Sequence, residues 1–539
     1  MSGFGPVLRA RWRRDAVQLT IWIAGALLLA ASAVTGVRGT FPTETDRATL
    51  LATAVANPVV LLFRGLPSGT DEAAFTAFLI LPFVALLAAL MSTFLAVRHT
   101  RGDEDSGRAE LIAATPAART VPLAATVVHG ILANVVLGAL VILTYVAIGF
   151  PPTGSVLMGA ASALTGIAFL GVGLVAAQLA ASARTANAIG VWAVLLTYLA
   201  CGLGNALGTP SADLRRMTSA PLAWVSPFGW AENTRPYDSD AAGTLIPFAG
   251  LIVVTLVLAF VLSGARDLGG SLLPARRGRA VASVALSGPI GLVWREARGS
   301  LLGWAVGGAI VGVMSTRLAT AISQIGDTIP SVQALLQSLA SQGSLAQGAI
   351  EVFFTLAGVL AACAGIQTVL RARQDEAAGL AEPVRAAGVG PVRWVGAYLV
   401  VAVGAVLACL AAATAGATIG QLATDSSKTD LIRDAAAAAG QVVAAVTLVV
   451  IATLVVVIAP RAATPVGWAL VGVATVVGLF GPLLGLSDAA VHVSPFAAAP
   501  RIDGDALDLR GGVWLVVAVV AAAVLAGVAA RRRELAPER

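Results

Sequence analysis

The chain has 539 residues, of which 58% are hydrophobic and 12% charged, with a mean hydropathy of +0.87 and a formal net charge of +6. Soluble globular proteins carry about 25% charged residues, so this composition excludes an ordinary water-facing protein and predicts an all-α polytopic membrane protein. The basic excess does not imply a nucleic-acid partner, because the arginines lie in short segments between apolar runs, where the positive-inside rule puts them.

In chain order, Arg9, Arg11, Arg13 and Arg14 precede an apolar run containing Ala31-Ser32-Ala33, which has the look of a secretory leader. An internal span repeats this segment, so it is read as an uncleaved first helix. Runs of about 20 apolar residues predict twelve spans, near 17–37, 73–97, 121–149, 155–180, 186–207, 245–264, 299–317, 348–370, 394–418, 437–459, 464–486 and 511–530. An even number places both termini on one side, together with the loops near 98–120, 181–185, 265–298, 371–393 and 460–463. That side holds 24 of the 35 basic residues but only 12 of the 29 acidic ones, and is therefore predicted to be cytoplasmic. Lys428 is the single lysine against 34 arginines, a bias expected of a GC-rich genome, and the expected location is a bacterial cytoplasmic membrane.

The chain repeats itself. Trp12-Arg13 with Trp22 matches Trp294-Arg295 with Trp304, at an offset of 282. Arg101-x-x-Glu104-x-x-Gly107-x-x-Glu110 matches Arg373-x-x-Glu376-x-x-Gly379-x-x-Glu382, at an offset of 272. Arg184 and Gly190-Val191-Trp192 echo Arg461 and Gly467-Trp468, and Val225-Ser226-Pro227-Phe228 matches Val493-Ser494-Pro495-Phe496. Two six-span halves of the same orientation follow, 1–275 and 299–539, joined by a cytoplasmic linker at 276–298 and related by a pseudo-two-fold along the membrane normal.

The duplicated charged loops are the candidate functional segments. Arg101, Glu104, Asp105 and Arg108 stand three and four apart, a spacing that lines one helix face, and Gly107 is expected to let a second backbone approach. A solvated helix end is the plain alternative. Presentation of the same pattern twice about a two-fold favours docking of a two-fold partner. Energy must come from somewhere. A P-loop requires a lysine after glycine, whereas Lys428 follows Ser427 in a loop predicted to be extracytoplasmic, so there is no Walker A motif. Proton-coupled carriers need an ionisable group within the membrane, and only His129, with Glu351 near a span end, comes close. Cys201, Cys363 and Cys409 lack CxxC spacing, and His99, His129 and His492 are scattered, so no disulfide or metal site is expected.

The segment 101–111 resembles the cytoplasmic loop of ATP-binding-cassette permeases of the antibiotic-exporter type, which include exporters of polyketide antibiotics such as tetronasin. Ser226-Pro227-Phe228-Gly229-Trp230 with Arg235-Pro236-Tyr237, and Arg266-Asp267-Leu268-Gly269, resemble the same family. The resemblance implies a fused permease that exports hydrophobic or amphipathic compounds and has no catalytic residue or cofactor of its own. It implies a separate nucleotide-binding subunit, used as two copies, which carries ATP and Mg. Residues Arg101, Glu104, Asp105, Gly107, Arg108 and Glu110, with Arg373, Glu376, Gly379 and Glu382, would be the coupling elements. The second half departs at Leu380 and Ala497, so the docking sites are expected to be unequal.

Trp224, Ser226, Pro227, Phe228 and Trp230, with Ser494, Pro495 and Phe496, form a candidate extracytoplasmic gate. It is either a tryptophan belt at the headgroups or a short re-entrant helix. Asn134, Gln178, Asn187, Asn205 and Gln367 are expected to bond between helices, and sparse buried charge favours an apolar substrate over an ion. Two alternatives remain: a proton-coupled twelve-span drug carrier, and a membrane-embedded enzyme built around Asp503, Asp505 and Asp508, which are read here as a solvated loop.

Overall fold

The computed structural model describes residues 3–56, 58–272, 288–326, 345–421, 428–480, 487–503, 506–508 and 510–532. Most of the expected linker and Asp505 lie outside them. The chain divides into two compact units, Met1–Gly278 and Arg279–Arg539.

The first unit contains α1 (Phe4–Thr40), α2 (Glu44–Ala56), α3 (Pro58–Phe63), α4 (Glu72–Arg98), α5 (Arg101–Asp105), α6 (Arg108–Ala113), α7 (Val121–Ile148), α8 (Pro152–Leu179), α9 (Ala183–Ala206), α10 (Pro227–Glu232) and α11 (Ile246–Ala265). Local signals set many of the ends. The Asp71 carboxylate accepts from Ala73 N at the start of α4, and Ser182 accepts from Thr185 N at the start of α9, each satisfying a free helix N–H. Gly149, at φ +98, ends α7 with Phe150 N bonded to Tyr145 O, the glycine-terminated helix stop. The helix α1 begins well before its apolar run, because nothing in the arginine-rich segment interrupts it.

α4 and α8 are the inner helices. Each buries 72% of its most apolar stretch, against 22% for α1 and 17% for the 242–265 segment containing α11. α7 and α8 cross where Gly138 and Gly159 face each other, and a Cβ on either would collide with the other's carbonyl; small residues allow this approach in a bilayer. Outward, Val17, Ile21, Leu28, Leu143, Val253 and Val257 are more than half exposed. In water such a face would be untenable, whereas lipid solvates it.

The second unit contains α12 (Gly288–Gly326), α13 (Leu345–Ala377), α14 (Ala381–Ala386), α15 (Pro391–Gln421), α16 (Lys428–Ile458), α17 (Ala463–Phe480), α18 (Asp488–Val491) and α19 (Arg510–Arg531). Its inner helices are α13, α15 and α16. Short antiparallel pairs tie loops in both units: β1 (Thr209–Pro210) with β2 (Met217–Thr218), and β3 (Arg501–Asp503) with β4 (Ala506–Asp508).

Among the described residues, eleven helices are long and apolar enough to cross a membrane. The twelfth expected span, 464–486, is represented by the shorter α17, and 481–486 lie outside the description. The protein is an all-α multi-pass membrane protein.

Candidate functional site

The first charged loop does not form one continuous helix face. Gly107, at φ +71, breaks it into α5 and α6. No atom lies within 4 Å of where a Cβ on Gly107 would sit. The glycine is therefore required for left-handed backbone, and the close backbone approach expected there is not seen. Arg101 and Glu104 are turned inward. Arg101 Nη1 donates to Glu104 Oε2 at 2.8 Å, its Nε to Ala177 O at 3.2 Å and its Nη2 to Gly270 O at 2.7 Å. Arg266 grips both oxygens of the same carboxylate, with Nη1 at 2.9 Å from Oε2 and Nη2 on Oε1, while its Nε donates to Gln178 Oε1 at 2.7 Å. Glu104 thus ties α5 to the end of α8 and the exit of α11. Asp103 accepts from Arg14 at 2.7 Å and Arg108 at 3.2 Å, and Asp105 Oδ2 accepts from Ala183 N at 2.7 Å at the start of α9. Asp105, Arg108 and Glu110 stay exposed, as does Leu111 at 71%.

The second unit shows the same plan. Arg373 and Glu376 are buried, Gly379 sits at φ +73, and Glu382 and Leu380 are exposed. Tyr398 OH donates to Asp375 Oδ2 at 2.6 Å, and Arg371 Nε lies 3.3 Å from Glu296 Oε2.

The sequence reading found no carboxylate well inside the spans; the structure buries one just before the first expected span, beside Arg98. Asp15, counted there with the N-terminal loop, lies within α1 and is buried. Its Oδ2 meets His99 Nε2, just beyond α4, and His129 Nε2 on α7 at 3.2 Å; its Oδ1 lies 3.2 Å from Arg98 Nη1. Both imidazoles are fully buried. Two of the histidines read as scattered are therefore neighbours, because α1, α4 and α7 converge there.

On the opposite end, Pro221–Val225 forms a 3-10 turn leading into α10. Ser226 Oγ accepts from Phe228 N and donates to Thr197 O at 2.7 Å on α9. Pro227 and Phe228 are buried, with the Phe228 ring against Phe169 and Tyr198 at 5.5 and 5.2 Å. Trp230 donates to Trp224 O at 2.6 Å and packs edge-on to Phe248, while Trp224 remains 43% exposed. The segment thus contains a short helix packed on the bundle, with Trp224 left exposed beside it. In the second unit Ser494 Oγ donates to Ala474 O at 2.7 Å on α17, and Pro495 and Phe496 are buried, Phe496 lining a cavity of about 280 Å³ with Glu351, Gln441, Asp488 and His492.

Sequence reasoning missed Glu232. It closes α10 as a buried carboxyl, accepting from Asn205 Nδ2 at 2.6 Å. Burial pushes it up to about 7, opposed by hydrogen bonds from Asn205 and Cys201 and from the Leu66 backbone. The segment was read for its tryptophans and its Ser-Pro-Phe motif, and nothing in it marked Glu232. The other polar span residues mostly do bond across helices: Asn134 to Ser92 at 2.7 Å, and Trp304 to Gln367 at 2.7 Å.

Lipid-facing helices, small-residue crossings and ion-paired loops define a multi-pass membrane protein whose two units share one plan. Over 534 residues the chain is 32% identical to the multidrug efflux system permease protein Rv1217c of Mycobacterium tuberculosis, covering 98% of this chain and 94% of that protein. Residues 286–532 match the family described as multidrug efflux system permease Rv1217c, C-terminal domain. The chain belongs to this permease family.

Proposed function

We propose that this chain is the permease subunit of an ATP-driven exporter in a bacterial cytoplasmic membrane, with both termini cytoplasmic. It moves hydrophobic or amphipathic compounds outward, powered by two copies of a separate ATP-binding-cassette subunit that carries ATP and Mg. The observation that carries this reading is the pair of loops at 101–110 and 373–382. Each sets a buried Arg and a mostly covered Glu against the bundle, turns at a left-handed glycine, and presents an acidic side chain and a leucine to solvent. The similarity to a multidrug efflux permease supports the drug-export part.

The mechanism follows from the attachments. A partner pressing on α5 and α6 moves Glu104, which is held by Arg101 and by Arg266 beyond α11. Displacement is thereby passed to the ends of α4, α8 and α11 together, the kind of rigid-body rocking that alternating access requires. In the second unit the buried Arg373 and Glu376 would play the same part.

The energy source is the decisive measurement. The permease is reconstituted in vesicles with its candidate ATPase, and export of a fluorescent amphiphile is followed. ATP-dependent transport is expected, with partner binding weakened by the exposed double variant Glu110→Lys, Glu382→Lys. Transport driven by a proton gradient without ATP would overturn the proposal.

A further inference from the structure

The buried Asp15–His99–His129 cluster carries a property outside the export reading. We propose that it is a site for a single divalent transition-metal ion of the zinc type, which clasps α1, α4 and α7 beside the charged loop. One carboxylate oxygen and two imidazole Nε2 atoms lie within 4.8 Å of one another, all three residues buried and each from a different part of the chain. Two histidines and one carboxylate suit zinc, cobalt or iron rather than calcium or magnesium.

Metal-binding histidines usually have a carboxylate behind the other ring nitrogen, and ligating carboxylates are themselves held. Asp103 Oδ2 lies 3.8 Å from His99 Nδ1, and Arg98 Nη1 lies 3.2 Å from Asp15 Oδ1. Both imidazole Nδ1 atoms are buried without a hydrogen-bond partner, an arrangement costly to keep for packing alone. Arg98 pairs with the second oxygen of Asp15, Arg14 lies on Asp103, and Arg11 donates to Pro122 O, Thr126 Oγ1 and His99 O. A cavity of about 110 Å³ bordered by Arg11, His99 and Asp103 adjoins the His99 side of the cluster.

Convergence separates this cluster from a proton wire. A relay strings its groups along a path, whereas here both Nε2 atoms face the same oxygen. The other half of the chain provides an internal comparison. At the repeat offsets Asp15 corresponds to Ala297 and His99 to Arg371. There α12 and α13 are joined by Arg371 and Glu296, a fixed-charge ion pair at 3.3 Å. Imidazoles are therefore not needed simply to join these helices.

The chain has three histidines, so background binding is small if the affinity tag contains none. The full chain is purified in detergent, stripped with chelator, exposed to Zn²⁺ or Co²⁺, desalted and assayed for bound metal. One ion per chain is expected. His99→Gln and His129→Gln should each weaken binding by about tenfold or more, and His492→Gln should leave it unchanged. No retained metal in the wild type overturns the proposal, as does metal retained equally by the double variant His99→Gln, His129→Gln. If the variants fail gel filtration, the wild type still decides. Bound Co²⁺ must give hyperfine-shifted ring-proton signals from two imidazoles, and Co²⁺ bound without them refutes the site.

Discussion

Replacing Glu104 by glutamine tests whether the first charged loop is built into the bundle. The carboxylate accepts three charge-assisted bonds, one from Arg101 and two from Arg266, and its side chain is only 9% exposed. Removing one partner of a buried ion pair costs about 3–5 kcal/mol. Glutamine keeps one acceptor oxygen, and both guanidinium groups retain oxygen partners at Ala177, Gly270 and Gln178. The low end, about 3 kcal/mol, is therefore expected. For a unit of this size that is a fall in midpoint of about 6 °C or more. The assay is thermal unfolding in detergent, followed by tryptophan fluorescence. Glu110→Gln, six residues further along but exposed, serves as the control and should stay within about 0.5 kcal/mol of wild type. Arg266→Gln should resemble Glu104→Gln, and the double variant should be much less than additive because the two residues share one interaction. A Glu104→Gln protein as stable as Glu110→Gln would show that the loop is a detachable surface, and the force path through Glu104 would be lost.

Glu232 gives a pH prediction. Its folded value of about 7 lies above the usual carboxylate value, so folding favours the protonated form. Below about pH 4.5 it contributes no difference; stability falls as pH rises toward 7 and then levels off, by about 3 kcal/mol in all. Glu232→Gln should abolish that slope and be the more stable protein at pH 8 but not at pH 4.5, as read by thermal midpoints across pH; parallel profiles would refute it. Phe228→Ala empties a fully buried ring site and should cost about 3–5 kcal/mol, measured by the same unfolding assay. Gly107→Ala and Gly379→Ala, at φ +71 and +73 with open space around both, should each cost about 1–2 kcal/mol through backbone conformation alone; a larger loss would mean a steric contact that the structure does not contain.

Much of the architecture was legible because lipid imposes it. Long apolar runs must be helices, as no other open structure satisfies the backbone in hydrocarbon, and all the runs outside 464–486 became long helices. The matched serines make like bonds: Ser226 and Ser494 each donate to a carbonyl on an earlier helix. Spacing along the charged loop was less informative. Glu104 and Glu110 both looked available to a partner, yet one is locked to Arg266, 162 residues away, and the other is free to solvent. Asp15 was misplaced because hydropathy marks where apolar residues begin, not where a helix begins, and α1 starts at Phe4. Glu232 was hidden because a polar residue in a connecting segment reads as solvated until its neighbours are known.

By itself, then, the sequence determined a polytopic helical protein and marked the two charged loops by their matching motifs. These follow from local composition, from the solvation demands of the backbone and from self-similarity. Only the tertiary structure decided which charges face inward, because burial depends on partners distant in sequence. Arg101 and Glu104 acquire their roles from Ala177, Gln178, Arg266 and Gly270, and the Asp15–His99–His129 cluster exists only where three helices meet.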